Sequence, residues 1–366
     1  VGGFHFLILL SVCLKYQVLI PPLQFIRIEE EHTGGNVMLY IDNENIMDAG
    51  INLAIEEYIL KELNPEETYL LFYSMNPTVI VGKNQNTIEQ IDTSYIRENK
   101  VDVIRRLSGG GAVYNDQGNL SFSIITKDDG NSFHNYKKFT DPVVKALGKL
   151  GVNAELSGRN DLLVNGKKIS GNAQFSTKGR MYSHGTLMFN VNLENVVKAL
   201  KVNKEKIESK GIKSIRSRVT NISEHMDQEM TREEFKQTLL QYIFEGQDEI
   251  PSYKLTEKDW TAIHKIAEER YKNWDWNYGR SPKFNIQHSK RFPIGSIDVR
   301  LEVKKGYIEQ ATIFGDFFGV GDVKELEEQL QGVRYEPGSL EDVLNDVDVS
   351  YYFGKITKEE FIDLLY

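Results

Sequence analysis

Three consecutive glycines, Gly109, Gly110 and Gly111, follow Arg105, Arg106, Leu107 and Ser108 and precede Ala112, Val113 and Tyr114. Glycines lose more conformational freedom on folding than other residues, so a run of them between two strand-like segments calls for an offsetting use. Without Cβ atoms the backbone can approach a ligand closely and turn its amides toward an anion or a carbonyl. The two arginines could balance a phosphate or a carboxylate. A flexible turn flanked by surface arginines would have the same composition. The loop lacks the Lys-Ser/Thr pair of a Walker loop and the spacing of the dinucleotide-binding fingerprint.

A second group lies in Asp161-Leu162-Leu163-Val164-Asn165-Gly166-Lys167-Lys168-Ile169-Ser170. Asn-Gly between two apolar runs is the strongest short hairpin signal. A strict two-residue hairpin pairs Val164 with Lys167, Leu163 with Lys168 and Asp161 with Ser170. Asp161, Leu163, Lys168 and Ser170 then share one face. A carboxylate, an ammonium and a hydroxyl on one face suit a metal–nucleotide, with Asp161 near Mg²⁺ and Lys168 on a phosphate oxygen. They equally suit a solvent-facing hairpin. His184, in Tyr182-Ser183-His184-Gly185-Thr186, could line a pocket or serve as a structural hydrogen-bonded histidine. The Lys-, Arg- and Ser-rich segment from Lys201 to Thr220 could close over a nucleotide or remain a solvated basic loop.

The elements that must hold these groups are partly legible. Ile51, Ile55, Tyr58, Ile59 and Leu63 predict an amphipathic helix over Asp48 to Leu63, stopped by Asn64-Pro65. Strands are predicted at Tyr69–Tyr73, Thr78–Val81 and Val101–Ile104. A half-buried strand is expected where Leu120, Phe122 and Ile124 alternate with Ser121 and Ser123. Thr87 to Asn99 reads as one helix opened by a Thr87/Gln90 capping box. A second hairpin is expected at Lys178-Gly179. Glu245 to Lys254 reads as a linker. A helix over Thr256–Asn273, strands near Ile297–Val303 and Tyr307–Phe314, and two closing helices then form an α+β accessory domain. Trp260, Trp274 and Trp276 are expected as core anchors.

The order Arg105-Arg106-x-Ser108-Gly-Gly-Gly-Ala-Val-Tyr, Gly158-Arg159-Asn160-Asp161, Lys168-Ile169-Ser170-Gly171, His184-Gly185-Thr186-Leu187 and Arg216-Ser217-Arg218-Val219-Thr220-Asn221 resembles the successive motifs of lipoate–protein ligases. The resemblance runs from about Met38 to the end. The tail with Gly279-Arg280-Ser281-Pro282 looks like the accessory domain of the bacterial two-domain form. The resemblance implies a mixed α/β biotin/lipoate ligase catalytic fold, like class II aminoacyl-tRNA synthetases. It implies ATP-dependent formation of lipoyl-adenylate, with Mg²⁺. Acyl transfer then goes to a lysine of a lipoyl domain, in a 2-oxoacid dehydrogenase complex or the glycine cleavage H protein.

By the same resemblance, Lys168 is the catalytic lysine and Asp161 supports Mg²⁺. Arg106, Ser108, Gly109, Gly110, Gly111, Ala112, Val113, Tyr114 and His184 bind acid and nucleotide, and Lys201–Val219 closes over the adenylate. Asn115 departs from the pattern, since some members carry His there.

Composition narrows the rest. The chain has 366 residues, enough for two domains: a catalytic domain over 38–248 and an accessory domain over 255–366. A net charge of -9 argues against broad nucleic-acid binding, which needs a basic footprint. The apolar run Phe4–Leu14 is too short for a membrane span. Residues 1–37 read as a non-native or unstructured leader, with a native start expected at Met38. A cytoplasmic monomer is expected.

Cys13 is the single cysteine, and it lies in that leader. A related acyltransferase working through a thioester would need a reactive thiol. A biotin ligase would show a Gly-Arg-Gly-Arg-x-x-Arg pattern, which is absent from the sequence. A non-catalytic lipoate- or acceptor-binding relative and a cysteine-independent octanoyl/lipoyl transferase remain the alternatives.

Overall fold

The structure, a computed structural model, describes residues 38–200, 217–247, 249–279 and 284–366. The expectations placed on the leader, on Cys13, on the basic segment up to Arg216 and on Arg280-Ser281-Pro282 lie outside the described residues.

In chain order the first elements are β1 (Met38–Asp42), α1 (Ala49–Glu62), β2 (Thr68–Tyr73), β3 (Thr78–Val81), α2 (Thr87–Gln90), α3 (Thr93–Glu98), β4 (Asp102–Arg105), β5 (Val113–Asn115) and β6 (Asn119–Lys127). Then come α4 (Tyr136–Lys149), β7 (Glu155–Ser157), β8 (Asp161–Val164), β9 (Lys167–Thr177), β10 (Arg180–Met188), α5 (Leu193–Ala199), α6 (Arg232–Ile243) and α7 (Glu257–Ile266). Seven strands form one sheet in the order β1-β2-β6-β10-β9-β8-β7, with only the β1–β2 pair parallel. A separate small sheet has the order β4-β3-β5.

Strand alternation divides the large sheet into two faces. Leu120, Phe122 and Ile124 of β6 join Phe72 and the helices α4 and α6, through Phe139, Val143, Phe235 and Leu239, in one core. Ile125 of β6, with Tyr73 and Tyr182, packs on α1 through Leu53, Ile55 and Ile59 in a second core. The serines of β6 therefore do not face water. Ser121 and Ser123 are buried, on the side of the sheet that carries α1. The expected half-buried strand is a fully buried one, because helices cover both faces.

Several predicted elements change in detail. The helix α1 is buried around most of its circumference, since α7 and the π-helical turn Ala267–Tyr271 cover its outer side. Its polar residues are accordingly paired. Asn52 Nδ2 donates to the Ile46 and Ser74 carbonyls, and Glu57 meets Lys61, Arg270 and the Tyr271 hydroxyl. The helix expected over Thr87–Asn99 is split into α2 and α3. Asp92 caps the second piece through the Tyr95 amide, and Ile91 bridges to Leu200. No side chain caps α2, whose N-cap is Asn86.

The presumed linker lies alongside β1: the Tyr40 amide donates to the Pro251 carbonyl and the Tyr253 amide to the Tyr40 carbonyl. The helix expected over Thr256–Asn273 ends its regular α-helical part at Ile266. Trp274 is 66% exposed, so it is not a core anchor.

Beyond a short helix α8 (Trp274–Asn277) the chain forms β11 (Ile286–Phe292), β12 (Gly295–Lys304) and β13 (Tyr307–Gly315), an antiparallel sheet. Four short helices follow rather than two: α9 (Val323–Leu330), α10 (Pro337–Val343), α11 (Val349–Phe353) and α12 (Lys358–Leu365). They close over the sheet in a core of its own around Ile297, Leu301, Phe317 and Phe361. Among the described residues, no helix is long and apolar enough to cross a membrane.

Phe122 is fully buried at the centre of the first core. Phe122→Ala is expected to lower stability by about 3–5 kcal/mol, through lost burial and a residual cavity. A urea unfolding midpoint checks this.

Candidate active site

Two cross-strand rows on the α1 side of the large sheet form a floor. One row is Tyr73–Ser121–Thr186–Gly171–Asp161, and the next is Ser123–His184–Ala173. Above them lie Ile80 of β3, Val113 and Asn115 of β5, and the glycine loop. Between floor and roof is a cavity of about 420 Å³. One part of its wall is apolar, with Leu53, Met75, Ile80, Val113 and Ala173. Elsewhere the wall carries four cationic side chains, Arg106, Arg159, Lys168 and Arg291, against two carboxylates, Asp161 and Asp316. An acidic protein thus presents a cavity of opposite sign, which favours anionic ligands.

The hairpin forms at Asn165-Gly166, and both residues take positive φ, 50° and 76°, as a type I′ turn requires. Its register departs from the strict pairing. Val164 faces Lys167 and Leu163 faces Lys168, but a bulge then places Leu162 opposite Ser170 and Asp161 opposite Gly171. The bulge falls where the Lys168 amide donates to the Arg218 carbonyl and the Thr220 amide donates to the Lys168 carbonyl. Ser170 is consequently buried and accepts from Asn172 Nδ2, away from the cavity wall. Lys168 and Asp161 do meet, with Nζ 2.9 Å from Oδ1. Gly171 makes room for this contact, because a Cβ there would stand 3.0 Å from Lys168 Nζ and 3.1 Å from its Cε.

The arginines before the glycine run serve the protein itself. Arg105 donates to the carbonyls of Gly82, Lys83 and Gln85 and to the Thr87 hydroxyl, which folds the Gly82–Thr87 turn. Arg106 is buried. Its Nη2 donates to the Gly109 and Gly111 carbonyls (2.6 and 2.9 Å), its Nη1 to the Ile80 carbonyl, and its Nε to Ser108 Oγ at 2.9 Å. The guanidinium is the template around which the glycine loop bends. Burial pulls it down to about 10, still far above neutrality, so it stays charged.

That charge has a buried counterpart. Ser108 Oγ is 2.8 Å from His184 Nε2, and His184 Nδ1 is 2.9 and 3.0 Å from the two oxygens of Glu56. A carboxylate only accepts, so Nδ1 is the donor. Glu56, His184, Ser108 and Arg106 form one chain of hydrogen bonds from α1 through β10 to the loop.

The predicted residues are therefore distributed as follows. Arg106, Gly110, Gly111, Ala112, Val113, Asp161, Lys168 and His184 line the cavity. Ser108 stands behind the wall in the buried chain, Gly109 packs against the Phe317 carbonyl, and Tyr114 turns into the core of the small sheet. Sequence reasoning missed Glu56, Asn172 and Thr186, and all of the contributions from β11 onward. Arg159 carries the junction. Its guanidinium donates to the Ile294 carbonyl and lies 4.5 Å from the Phe318 ring centroid, and Phe318 packs on Gly110.

A glycine loop from the small sheet, a lysine–aspartate pair from the large one and a partly apolar wall thus share one cavity, with room for an apolar chain beside an anionic group. Residues 48–244 match the Lipoyl protein ligase A/B catalytic domain, and residues 281–365 match the Bacterial lipoate protein ligase C-terminus. Lipoate-protein ligase LplJ of Bacillus subtilis (strain 168) is 66% identical over 331 residues, covering 90% of this chain and 100% of the relative. The crystal structure of P. falciparum LipL1 in complex with lipoate has a TM-score of 0.72 at 25% identity, covering 89% of this chain and 97% of that one. A lipoate-protein ligase A bound with ATP has a TM-score of 0.57 at 26% identity, covering 67% and 98%. The chain belongs to the lipoate–protein ligase family.

Glu56→Ala would leave a buried guanidinium and imidazole without their carboxylate. A loss of about 3–5 kcal/mol is expected, with a smaller loss for Glu56→Gln, measured by chemical denaturation. At Gly82 a Cβ would stand 1.9 Å from the Gly110 carbonyl oxygen. Gly82→Ala should displace the loop and weaken lipoate binding by on the order of tenfold, as read by calorimetric titration.

Proposed function

We infer that this protein activates lipoate with ATP and transfers the lipoyl group to a lysine of an acceptor lipoyl domain. The observation that carries the reading is Lys168. Its ammonium lines the cavity, held by Asp161 and unobstructed by a side chain at Gly171. In the first step a lipoate carboxylate oxygen attacks the α-phosphorus of ATP, and the bond to the bridging oxygen breaks to release pyrophosphate. Negative charge grows on the phosphoryl oxygens, and a preplaced ammonium stabilises that charge more than it stabilises the ground state. In the second step the acceptor amine attacks the acyl carbon, the bond to AMP breaks, and the amine proton leaves to solvent.

Lys168 is the catalytic group in this reading. Ser108 to Tyr114, shaped by Arg106, would form the acid- and nucleotide-binding wall, and His184 would line the acid's end. The apolar residues Leu53, Met75, Ile80 and Val113 suit an aliphatic chain. The sequence holds one cysteine, Cys13, so a thioester route would have to draw on that residue.

No group of three or more metal-ligating side chains occurs among the described residues. A Mg²⁺ ion that arrives with ATP keeps water and phosphate oxygens as ligands and needs only one or two carboxylates. Asp161 fits that share. The ion would supply charge neutralisation on the phosphates. Acceptors would be the lipoyl domains of 2-oxoacid dehydrogenase complexes and the glycine cleavage H protein, and the cytoplasm is the proposed compartment. A monomer is the proposed state. The proposed organisation is a catalytic domain over 38–248 and an accessory domain over 255–366.

Lipoate-dependent exchange of labelled pyrophosphate into ATP tests the reading, with the full chain and with protein starting at Met38. Exchange is expected from both. Lys168→Ala is expected to lose on the order of 10³-fold or more of exchange with an unchanged unfolding midpoint. Unchanged turnover in that variant would remove the mechanism.

A further inference from the structure

Asn115 ends β5 on the same strand face as Val113, and both line the cavity, while Tyr114 between them turns the other way. The residue is 1% exposed, and neither its Oδ1 nor its Nδ2 has a hydrogen-bond partner among the described residues. Buried amides are normally paired, so one with donor and acceptor both unmatched at a cavity wall points to a ligand. Asn172 on the opposite wall is a contrast. Its Nδ2 donates to the Asn160 carbonyl and to Ser170 Oγ, and only its Oδ1 is unmatched.

An amide with both atoms open needs a ligand that offers an acceptor and a donor side by side. This requirement sorts the parts of the two substrates in the ligase reading above, on which the inference rests. The carboxylate and the phosphates only accept, and the aliphatic chain does neither. The adenine edge offers an exocyclic amino donor beside a ring-nitrogen acceptor, the pattern that an asparagine amide matches with two parallel hydrogen bonds. Among the described residues β5 is also an edge strand of its sheet, with no strand partner on one side of its backbone beside that amide. We propose that Asn115 reads the amino edge of the adenine of ATP and selects the nucleobase. A histidine at this position could not act in the same way, because its donor and acceptor lie on different sides of the ring.

The ribose hydroxyls are the competing ligand, since each can donate and accept. The experiment is pyrophosphate exchange by the full chain with lipoate and three nucleotides: ATP, purine riboside triphosphate, which lacks the amino group, and 2′-deoxy-ATP. Wild-type kcat/KM should fall on the order of 10- to 100-fold with purine riboside triphosphate and hold with 2′-deoxy-ATP. In Asn115→Ala the ATP value should drop to the level of the analogue, with KM for lipoate unchanged. Asn115→Asp, which keeps an acceptor for the amino group but loses the donor, should fall between.

Equal use of ATP and purine riboside triphosphate by the wild type would overturn the proposal without any variant, and so would a loss confined to 2′-deoxy-ATP. Discrimination that persists in Asn115→Ala would overturn it as well. No lipoate-dependent exchange with ATP would overturn the ligase reading and this proposal together. Exchange without base discrimination would overturn this proposal alone.

Discussion

A permanently charged guanidinium buried under a glycine loop is the constraint on which the site depends. Arg106 cannot shed its proton at neutral pH, so the fold must satisfy it. Carbonyls of Gly109, Gly111 and Ile80 take its Nη donors, and Ser108 takes the remaining Nε–H. The carboxylate of Glu56 supplies compensating charge through His184. Beside the loop's own Ser108, Gly109 and Gly111, the network draws on Ile80 of β3, Glu56 of α1 and His184 of β10. Loop geometry is thereby tied to α1, β3 and β10, and the loop cannot relax without breaking a buried polar network. The entropy cost of three glycines is offset by fixing them around one cation.

The same network explains why a helix that looks amphipathic in sequence is buried on nearly all sides. Glu56 and Glu57 follow each other on α1 and point in different directions. One enters the site, and the other meets Arg270 and Tyr271, which belong to the cover supplied after the supposed linker. The helix therefore links the cavity to the segment that leads into the C-terminal sheet. That sheet returns to the cavity through Phe318, Asp316 and Arg291.

Local signals made much of this readable. Apolar spacing marked α1, Asn-Gly marked the hairpin and its pairing put Lys168 on the face of Asp161, and the five motifs in order marked the family. What escaped depends on long-range contact. Ser121 and Ser123 look solvated until a helix is packed above them. Glu56 looks like a surface residue until His184 arrives from a strand far along the chain. Arg105 and Arg106 look like anion ligands until the carbonyls of the turn and loop are known. Phe318 carries no local mark of a cavity residue. The hairpin was readable in its turn but not in its bulge, because the bulge answers to backbone partners at Arg218 and Thr220.

That bulge also sets the phase of the strand. Lys168 faces the cavity and Ile169, its neighbour, lies in the apolar core with Leu162 and Val164. Side chains alternate with a period of two, so inserting or deleting one residue between Asp161 and Lys168 would exchange these positions and drive an ammonium into hydrocarbon. Over evolutionary drift the hairpin can lengthen or shorten at its tip only in steps of two. Odd-length changes must be absorbed by a second bulge, and this short ribbon is expected to keep its length while nearby loops vary freely.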